Sequence, residues 1–290
     1  MAGYVFYPVP AQLAEVVEAI WHADFPDAGG ARSMVLPVVS PIICFHYRCA
    51  PLLRIQSLGS EQRLIDPGRY RVTGLNPGTA RLQASGPVGG VMVRLRPEGA
   101  ARLRGVSVRE LAEAAFALSD VFAPTEMSRV DERLLEADNA DARVGIVKQF
   151  LLDRLGERQT DDLVARAARC LRRQPSLPVR ELAMQLDVSE RHLSRRFRDA
   201  LGASPKRFAR IARINAVLRS ARGGDDWADV AVACGFSDQA HMINDFTAMI
   251  GMPPDKLFGT TSLALDRKPR LSPHESDFFN TFVAEMPTQG

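Results

Sequence analysis

The spacing of apolar positions changes once along the chain. Up to about residue 96 they come in short runs: MVLPVV (Met34–Val39), IICFHYR (Ile42–Arg48), LLRIQSL (Leu52–Leu58), RYRVTGL (Arg69–Leu75), ARLQASG (Ala80–Gly86) and VMVRLRP (Val91–Pro97). Turn formers separate them at Pro41, Pro51, Gly59, Pro67-Gly68, Pro77-Gly78, Pro87 and Gly89-Gly90. Runs of this length between such residues predict six short strands, as in a small barrel or sandwich. Ahead of them, Leu13, Val16, Val17 and Ile20 share one face at helical spacing, so Ala11–Trp21 is predicted as a short helix.

Helical spacing then takes over. Glu98–Arg104 and Val108–Ala117 are predicted as short helices. A helical hairpin follows. Its first arm is Thr125–Glu136, with Met127, Val130, Leu134 and Leu135 on one side; its second is Asp141–Leu155, with Val144, Val147, Leu151 and Leu155 aligned. Asp138-Asn139 forms the turn. The polar stretch Gly156–Thr160 divides the chain into a domain at 1–157 and another at 160–260. The second opens with a helix over Asp161–Arg173 that ends before Pro175. Residues 261–290 form a tail, in which DFFNTFVAEM (Asp277–Met286) predicts one or two amphipathic turns.

Within the second domain the chain repeats itself. Leu182-Ala183 returns as Val230-Ala231, while His192-Leu193, Phe197, Gly202 and Pro205 return one residue later as His241-Met242, Phe246, Gly251 and Pro254. Each copy reads as a helix, a tight turn and a second helix. Asp187 and Gly235 stand at the turns, where a residue tolerant of positive φ is needed. Ser189 and Ser237 are placed as N-caps of the second helices, Gly202 and Gly251 as their terminators, and Ser204-Pro205 as the start of a connecting helix to Ser220. Asp225 and Asp226 are placed to cap the helix that carries Trp227.

At 100° per residue, Leu193, Phe197, Ala200 and Leu201 face inward on the second helix of the first copy. Arg191, Arg195 and Arg198 then face outward within about 60° of arc. Arginine pairs bidentately with guanine edges and with phosphate, so this face suits a DNA major groove. Arg196 lies to one side, toward phosphate or solvent. In the second copy Met242, Phe246, Met249 and Ile250 face inward; Ala240, Asn244 and Thr247 face outward, bordered by Gln239 and His241. That face offers amide and methyl contacts but no charge. Along the connecting helix Ile211, Ile214, Val217 and Leu218 are expected inside, and Lys206, Arg207, Arg210, Arg213 and Arg219 outside.

Charge sharpens the contrast. The 290-residue chain has a formal net charge of only +3. Arg180–Arg222 holds 11 basic and 4 acidic residues, whereas Gly223–Thr260 holds 1 basic and 6 acidic. The two copies therefore cannot attract a polyanion equally. No apolar run reaches the length of a membrane span, and the N-terminus lacks a secretory pattern. Cys44, Cys49, Cys170 and Cys234 form no CxxC pair and read as reduced, mostly buried thiols of a cytoplasmic protein. His46 has no neighbouring histidine, and His22 is distant in sequence, so no metal site and no cofactor are expected. P-loop, GxSxG and HExxH motifs are absent. Trp21, Phe45, His46 and Tyr47 are candidates to line a ligand pocket, with ordinary core as the first reading.

The stretch LAMQLDVSERHLSRRF…G.SP…ARI, followed by VAVACGFSDQAHMINDF…G.PP, resembles the AraC/XylS family of bacterial transcription regulators over about 100 residues, Thr160–Thr260. The resemblance implies that both second helices enter adjacent major-groove segments. By motif position the first would use Arg191, Ser194 and Arg195, joined by Arg198 from its outward face; the second would use Gln239, Ala240, His241 and Asn244. Family members often carry arginine where this chain has Asn244. The implied fold is α+β: a β-rich, cupin-like barrel as sensor domain with a helical hairpin used for dimerisation, then an all-α domain of two helix-turn-helix units. The expected function is sequence-specific transcription regulation in response to an effector, without enzymatic activity. Expected partners are double-stranded promoter DNA, a small-molecule effector, RNA polymerase and a second copy of the chain. The alternatives are a cupin-like metal enzyme fused to a DNA-binding domain, and a protein-interaction module with weakened DNA binding.

Overall fold

A computed structural model describes residues 3–26, 32–56, 63–65, 68–73, 79–103, 116–156, 161–220, 226–260 and 282–283. The first part is β-rich. Its strands are β1 (Gly3–Tyr7), β2 (Val17–Phe25), β3 (Arg32–Val35), β4 (Ile42–His46), β5 (Leu52–Gln56), β6 (Arg63–Ile65), β7 (Tyr70–Thr73), β8 (Thr79–Gln83), β9 (Val88–Leu95) and β10 (Phe116–Ala117). With β11 (Phe282–Val283) they form two antiparallel sheets, ordered β1-β2-β9-β4-β7-β10 and β11-β3-β8-β5-β6. The six expected runs all contain strands.

Several expectations are corrected. Only Ala11–Leu13 is helical, a single 3-10 turn, and Val17 begins β2. Val17 through Ala23 are all buried. Both faces of the sheet are covered, so the strand shows no polar alternation and its apolar residues coincide with a helical pattern. Ala100–Arg102 is likewise a 3-10 turn inside the predicted helix Glu98–Arg104. The predicted helix Val108–Ala117 lies mostly outside the described residues, and its end, Phe116–Ala117, is strand β10 paired with β7. In the tail, Phe282–Val283 pairs with β3 in place of the predicted amphipathic turns, and the rest of that segment lies outside the described residues.

The hairpin forms as helices α1 (Pro124–Glu136) and α2 (Ala140–Asp153), with Asn139 capping α2 by accepting from the Ala142 amide at 2.9 Å. Met127, Val130, Leu134, Val144, Val147 and Leu151 pack with Ile43, Phe45, Val91 and Val93 into one core against the six-stranded sheet. Leu135 departs from the expected inward face and is 52% exposed. On the opposite face of the sheet, Ala19, Trp21 and Ala23 pack with Ile42, Cys44 and Met92.

The remaining helices are α3 (Asp162–Arg173), α4 (Val179–Gln185), α5 (Glu190–Leu201), α6 (Pro205–Ser220), α7 (Trp227–Ala233), α8 (Gln239–Ile250) and α9 (Pro254–Thr260). One hydrophobic core runs through all seven and also takes in Leu36 and Val39 from the β-rich part. Polar contacts reinforce this junction. Thr79 donates its hydroxyl hydrogen bond to the carbonyls of Met249 (3.2 Å) and Ile250 (3.1 Å) at the end of α8. Buried Glu18 accepts from Arg172 of α3 and from the Ser40 hydroxyl at 3.0 Å. Burial works against the Glu18 charge, but Arg172 and Arg94, with those two hydrogen bonds, hold its carboxyl below the usual glutamate range.

Two outcomes are expected for stability. Gly235 has φ +76°, and an added Cβ would lie 2.4 Å from the Ser176 Cβ, whereas a Cβ on Gly145 in α2 meets nothing within 4 Å. Gly235→Ala should therefore cost at least about 1–3 kcal/mol, and Gly145→Ala should add about 0.5–1 kcal/mol; denaturant titration of the two variants checks this. The lowered pKa of Glu18 means its contribution is present above the unfolded-state value and is lost as pH falls through the folded value. Glu18→Gln should cost about 2 kcal/mol at neutral pH, and the gap from wild type should narrow below about pH 4.5, the ordinary glutamate value, in melting curves recorded across acid pH.

Candidate nucleic-acid interface

The two repeats fold as two helix-turn-helix units, α4–α5 and α7–α8, joined by α6. The turns follow the sequence logic: Asp187 has φ 54° and Gly235 has φ 76°. Asp187 is the one non-glycine residue in the left-handed region among the described residues. Gly202 (φ 69°) and Gly251 (φ 85°) end α5 and α8. Ser204 accepts from the Arg207 amide at 3.2 Å and starts α6. Asp226 caps α7 by accepting from the Ala228 amide at 2.8 Å, while Asp225 lies outside the described residues.

One cap differs from expectation. Ser189 caps α5, accepting from the His192 amide at 3.1 Å, but in the second unit Asp238, not Ser237, accepts from the His241 amide, at 2.7 Å. The second unit has one more residue between its turn and its second helix. That residue shifts the cap along by one, so Asp238 occupies the place of Ser189. Hydrogen bonds from the His241 backbone and from Ser237 lower the Asp238 pKa. Ser237 also meets His241 Nδ1 at 3.0 Å, and the His241 ring stands edge-on to Phe236. His241 is thereby oriented at the start of α8.

The inward faces are as expected, apart from Ala200, which is half-buried. Leu193, Phe197 and Leu201 are buried on α5, and Met242, Phe246, Met249 and Ile250 on α8. Phe197 meets Phe208 of α6 edge-on, with ring centroids 5.3 Å apart. These contacts fix the rotation of α5 and leave Arg191, Arg195 and Arg198 exposed together, with Ser194 half-buried between them. The groove over this surface is lined by Ser189, Arg191, Ser194, Arg195, Arg198 and Asp199, among others. On α8, Gln239, Ala240, His241 and Asn244 are exposed.

Arg196 does not face outward to phosphate or solvent alone. It is bound to Asp161, the N-cap of α3, with Nε to Oδ2 at 2.8 Å. The connecting helix α6 is also less free than expected. Arg210 pairs with Asp245 of α8 at 2.9 Å, and the Arg213 guanidinium lies over the Phe236 ring. Both contacts tether the second unit to α6. Neither partner could be read from helix periodicity, because each pair is joined only when the helices pack.

The residues weighed for metal or ligand chemistry are held in the β-rich core. Trp21 and Phe45 are fully buried. His22 Nε2 meets the Tyr47 hydroxyl at 2.8 Å, and burial foremost lowers its pKa. Burial also holds the His46 ring neutral. Among the described residues no three His, Cys, Asp or Glu side chains group as metal ligands. The cysteines are free; Cys44 and Cys234 are buried, Cys170 is half-buried, and Cys49 departs from expectation in being exposed. Among the described residues no helix is long and apolar enough to cross a membrane.

Comparison with known proteins bears on the C-terminal part. Residues 182–259 match the family model described as a helix-turn-helix domain. No curated protein matches the chain. Among solved structures, the chain is similar to ToxT from Vibrio cholerae at 9% identity, covering 83% of this chain and 98% of that one, with a TM-score of 0.47. It is similar to the C-terminal domain of AraT, a response regulator from Geobacillus stearothermophilus, at 20% identity over 39% of this chain and 97% of that one (TM-score 0.34). A third likeness is to the DNA-binding domain of AdpA, a global transcriptional factor solved with a target DNA, at 24% identity over 39% and 100% of the two chains (TM-score 0.33). Residues 182–259 of this chain are a helix-turn-helix domain.

Proposed function

We propose that the chain is an effector-responsive transcription regulator whose two helix-turn-helix units grip promoter DNA unequally. The observation that carries this reading is the outward trio Arg191, Arg195 and Arg198, held on a helix whose opposite face is locked into the core. Three guanidinium groups on the exposed face of a recognition helix suit guanine O6 and N7 and the flanking phosphates. In this reading Arg191, Ser194, Arg195 and Arg198 contact the first major-groove segment. Gln239, Ala240, His241 and Asn244 face the second with amide, imidazole and methyl groups. The connecting helix α6 has 16 residues and is about 24 Å long. That length suits two reading heads placed on one side of a duplex, about one turn (~34 Å) apart.

The charge imbalance orders the two contacts. Near the first unit basic residues supply the long-range attraction and most of the counterion release. The second unit approaches phosphate with Asp238 and Asp245 nearby, and Asp245 is already neutralised by Arg210. It therefore adds shape and methyl readout more than affinity. The β-rich domain supplies the response. It is joined to the reading domain through Glu18, Ser40, Thr79, Leu36 and Val39, so a ligand that alters this junction alters how the reading helices are presented.

Duplexes selected from a random pool test the reading. Arg195→Ala should weaken the best selected duplex by about 1–3 kcal/mol and relax preference at one base pair. Asn244→Ala should weaken it less. If Asn244→Ala abolishes selection while Arg195→Ala is silent, the ranking of the two units is wrong. Affinity of the wild-type chain should also fall linearly with log salt, and each phosphate contact removed should reduce the slope by about 0.9; a flat titration would exclude DNA as the partner.

A further inference from the structure

At the junction of the two domains lies a cavity of about 310 Å3 whose walls are dominated by arginine. Arg94 comes from the end of β9 and Arg96 from the residue after it, Arg169, Arg172 and Arg173 from the last turns of α3, and Arg219 from the last turn of α6. One carboxylate, Glu18, lines the same space, and Glu98 stands 4.0 Å from Arg169 behind it. Among the described residues, six guanidinium groups and the carboxylates of Glu18 and Glu98 surround this cavity.

Glu18 with Arg172 serves the junction, and guanidinium groups brought into one space repel one another. Arg94 is only 4% exposed and lies over the Trp21 ring, so this charge is held in the cavity wall instead of extending into water. Arginine forks match the paired oxygens of carboxylate and phosphate. The volume sits at the small end of the range for ligand cavities, roughly 300–1,000 Å3. Val38, Val39 and Ala212 contribute only short apolar surface.

We infer that this cleft is a binding site for a small polyanion, a compact molecule carrying two or more carboxylate or phosphate groups. The bound anion bridges β9 to α3 and α6 and so clamps the DNA-reading domain onto the β-rich domain in the described arrangement. The regulatory consequence rests on the regulator reading above; the binding itself does not. None of the residues used belongs to the outward faces of α5 or α8. Since α6 carries both reading units, an anion held by Arg219 acts directly on the element that spaces them. Coupling between the two sites is then reciprocal, and DNA that requires a different domain arrangement weakens anion binding by the same factor.

Calorimetry of the full chain at fixed ionic strength, with citrate and with pyrophosphate as probes and acetate as the monoanion control, tests the site. At least one polyanion should bind at least tenfold more tightly than acetate and raise the melting temperature. Arg173→Gln with Arg219→Gln should weaken that binding at least tenfold, and the single change at exposed Arg173 should weaken it measurably if the double variant folds poorly. Arg191→Gln with Arg195→Gln should leave it within twofold. The proposal fails if neither polyanion outbinds acetate. It also fails if the cleft variants bind normally, or if the recognition-helix variants lose the anion instead. The polyanion should shift the wild-type DNA titration and leave that of the cleft variant unmoved. Loss of DNA selectivity with intact anion binding would overturn the regulator reading alone, and selective DNA binding without anion binding would overturn the cleft alone.

Discussion

The edge-on contact of Phe197 with Phe208 decides the rotation of α5, and everything proposed about reading depends on that rotation. With Leu193 and Leu201 it buries one stripe of the helix completely. A helix rotated by one residue, about 100°, would bury an arginine and expose a phenylalanine. Either change is costly, since an uncompensated buried charge loses several kcal/mol and a lost aromatic core contact about as much. The outward arginines are therefore aimed by the apolar seam behind them, not by interactions of their own. The same holds for α8, where Met242, Phe246 and Ile250 fix which small polar residues remain outside.

The repeat shares its construction but divides its labour. Both units use a positive-φ residue at the turn and a left-handed glycine after the second helix. They differ in charge and in how they are tied down. The first unit keeps Arg191, Arg195 and Arg198 outward and fastens Arg196 to the cap of α3. The second is fastened to the connecting helix by Arg210 with Asp245, and to the β-rich domain by Thr79. A strongly cationic unit thus stands beside a weakly charged one that is tied to the connecting helix and to the β-rich domain.

The junction gives the β-rich domain a physical route to the two helix-turn-helix units. Leu36 and Val39 share a core with the helices, and Glu18 with Ser40 anchors α3. This contact combines apolar burial with a carboxylate held ionised by arginine, so it responds to charge placed nearby. An arginine-lined cleft lies at the same junction. The hairpin α1–α2, by contrast, packs Met127, Val130, Leu134, Val144, Val147 and Leu151 on the sheet and leaves Leu135 exposed.

Local pattern alone determined the paired units. Turn residues, terminating glycines and a 3.6-residue apolar period act within a dozen positions, so Asp187, Gly235, Gly202, Gly251 and the trio at 191, 195 and 198 are legible in the order of residues itself. Local pattern failed where neighbours far away in sequence decide the outcome. Ala11–Trp21 looked helical because its strand is covered on both faces, and burial on both faces erases the period of two. The cap at Asp238 follows from the one-residue shift after the turn, which puts Asp238 and not Ser237 opposite Ser189. Helix periodicity places Arg196 to one side, toward phosphate or solvent, and Arg210 outside. Their partners, Asp161 and Asp245, are met only when α5 packs on α3 and α6 on α8, since a guanidinium's partner is set by packing in space and leaves no period in the chain.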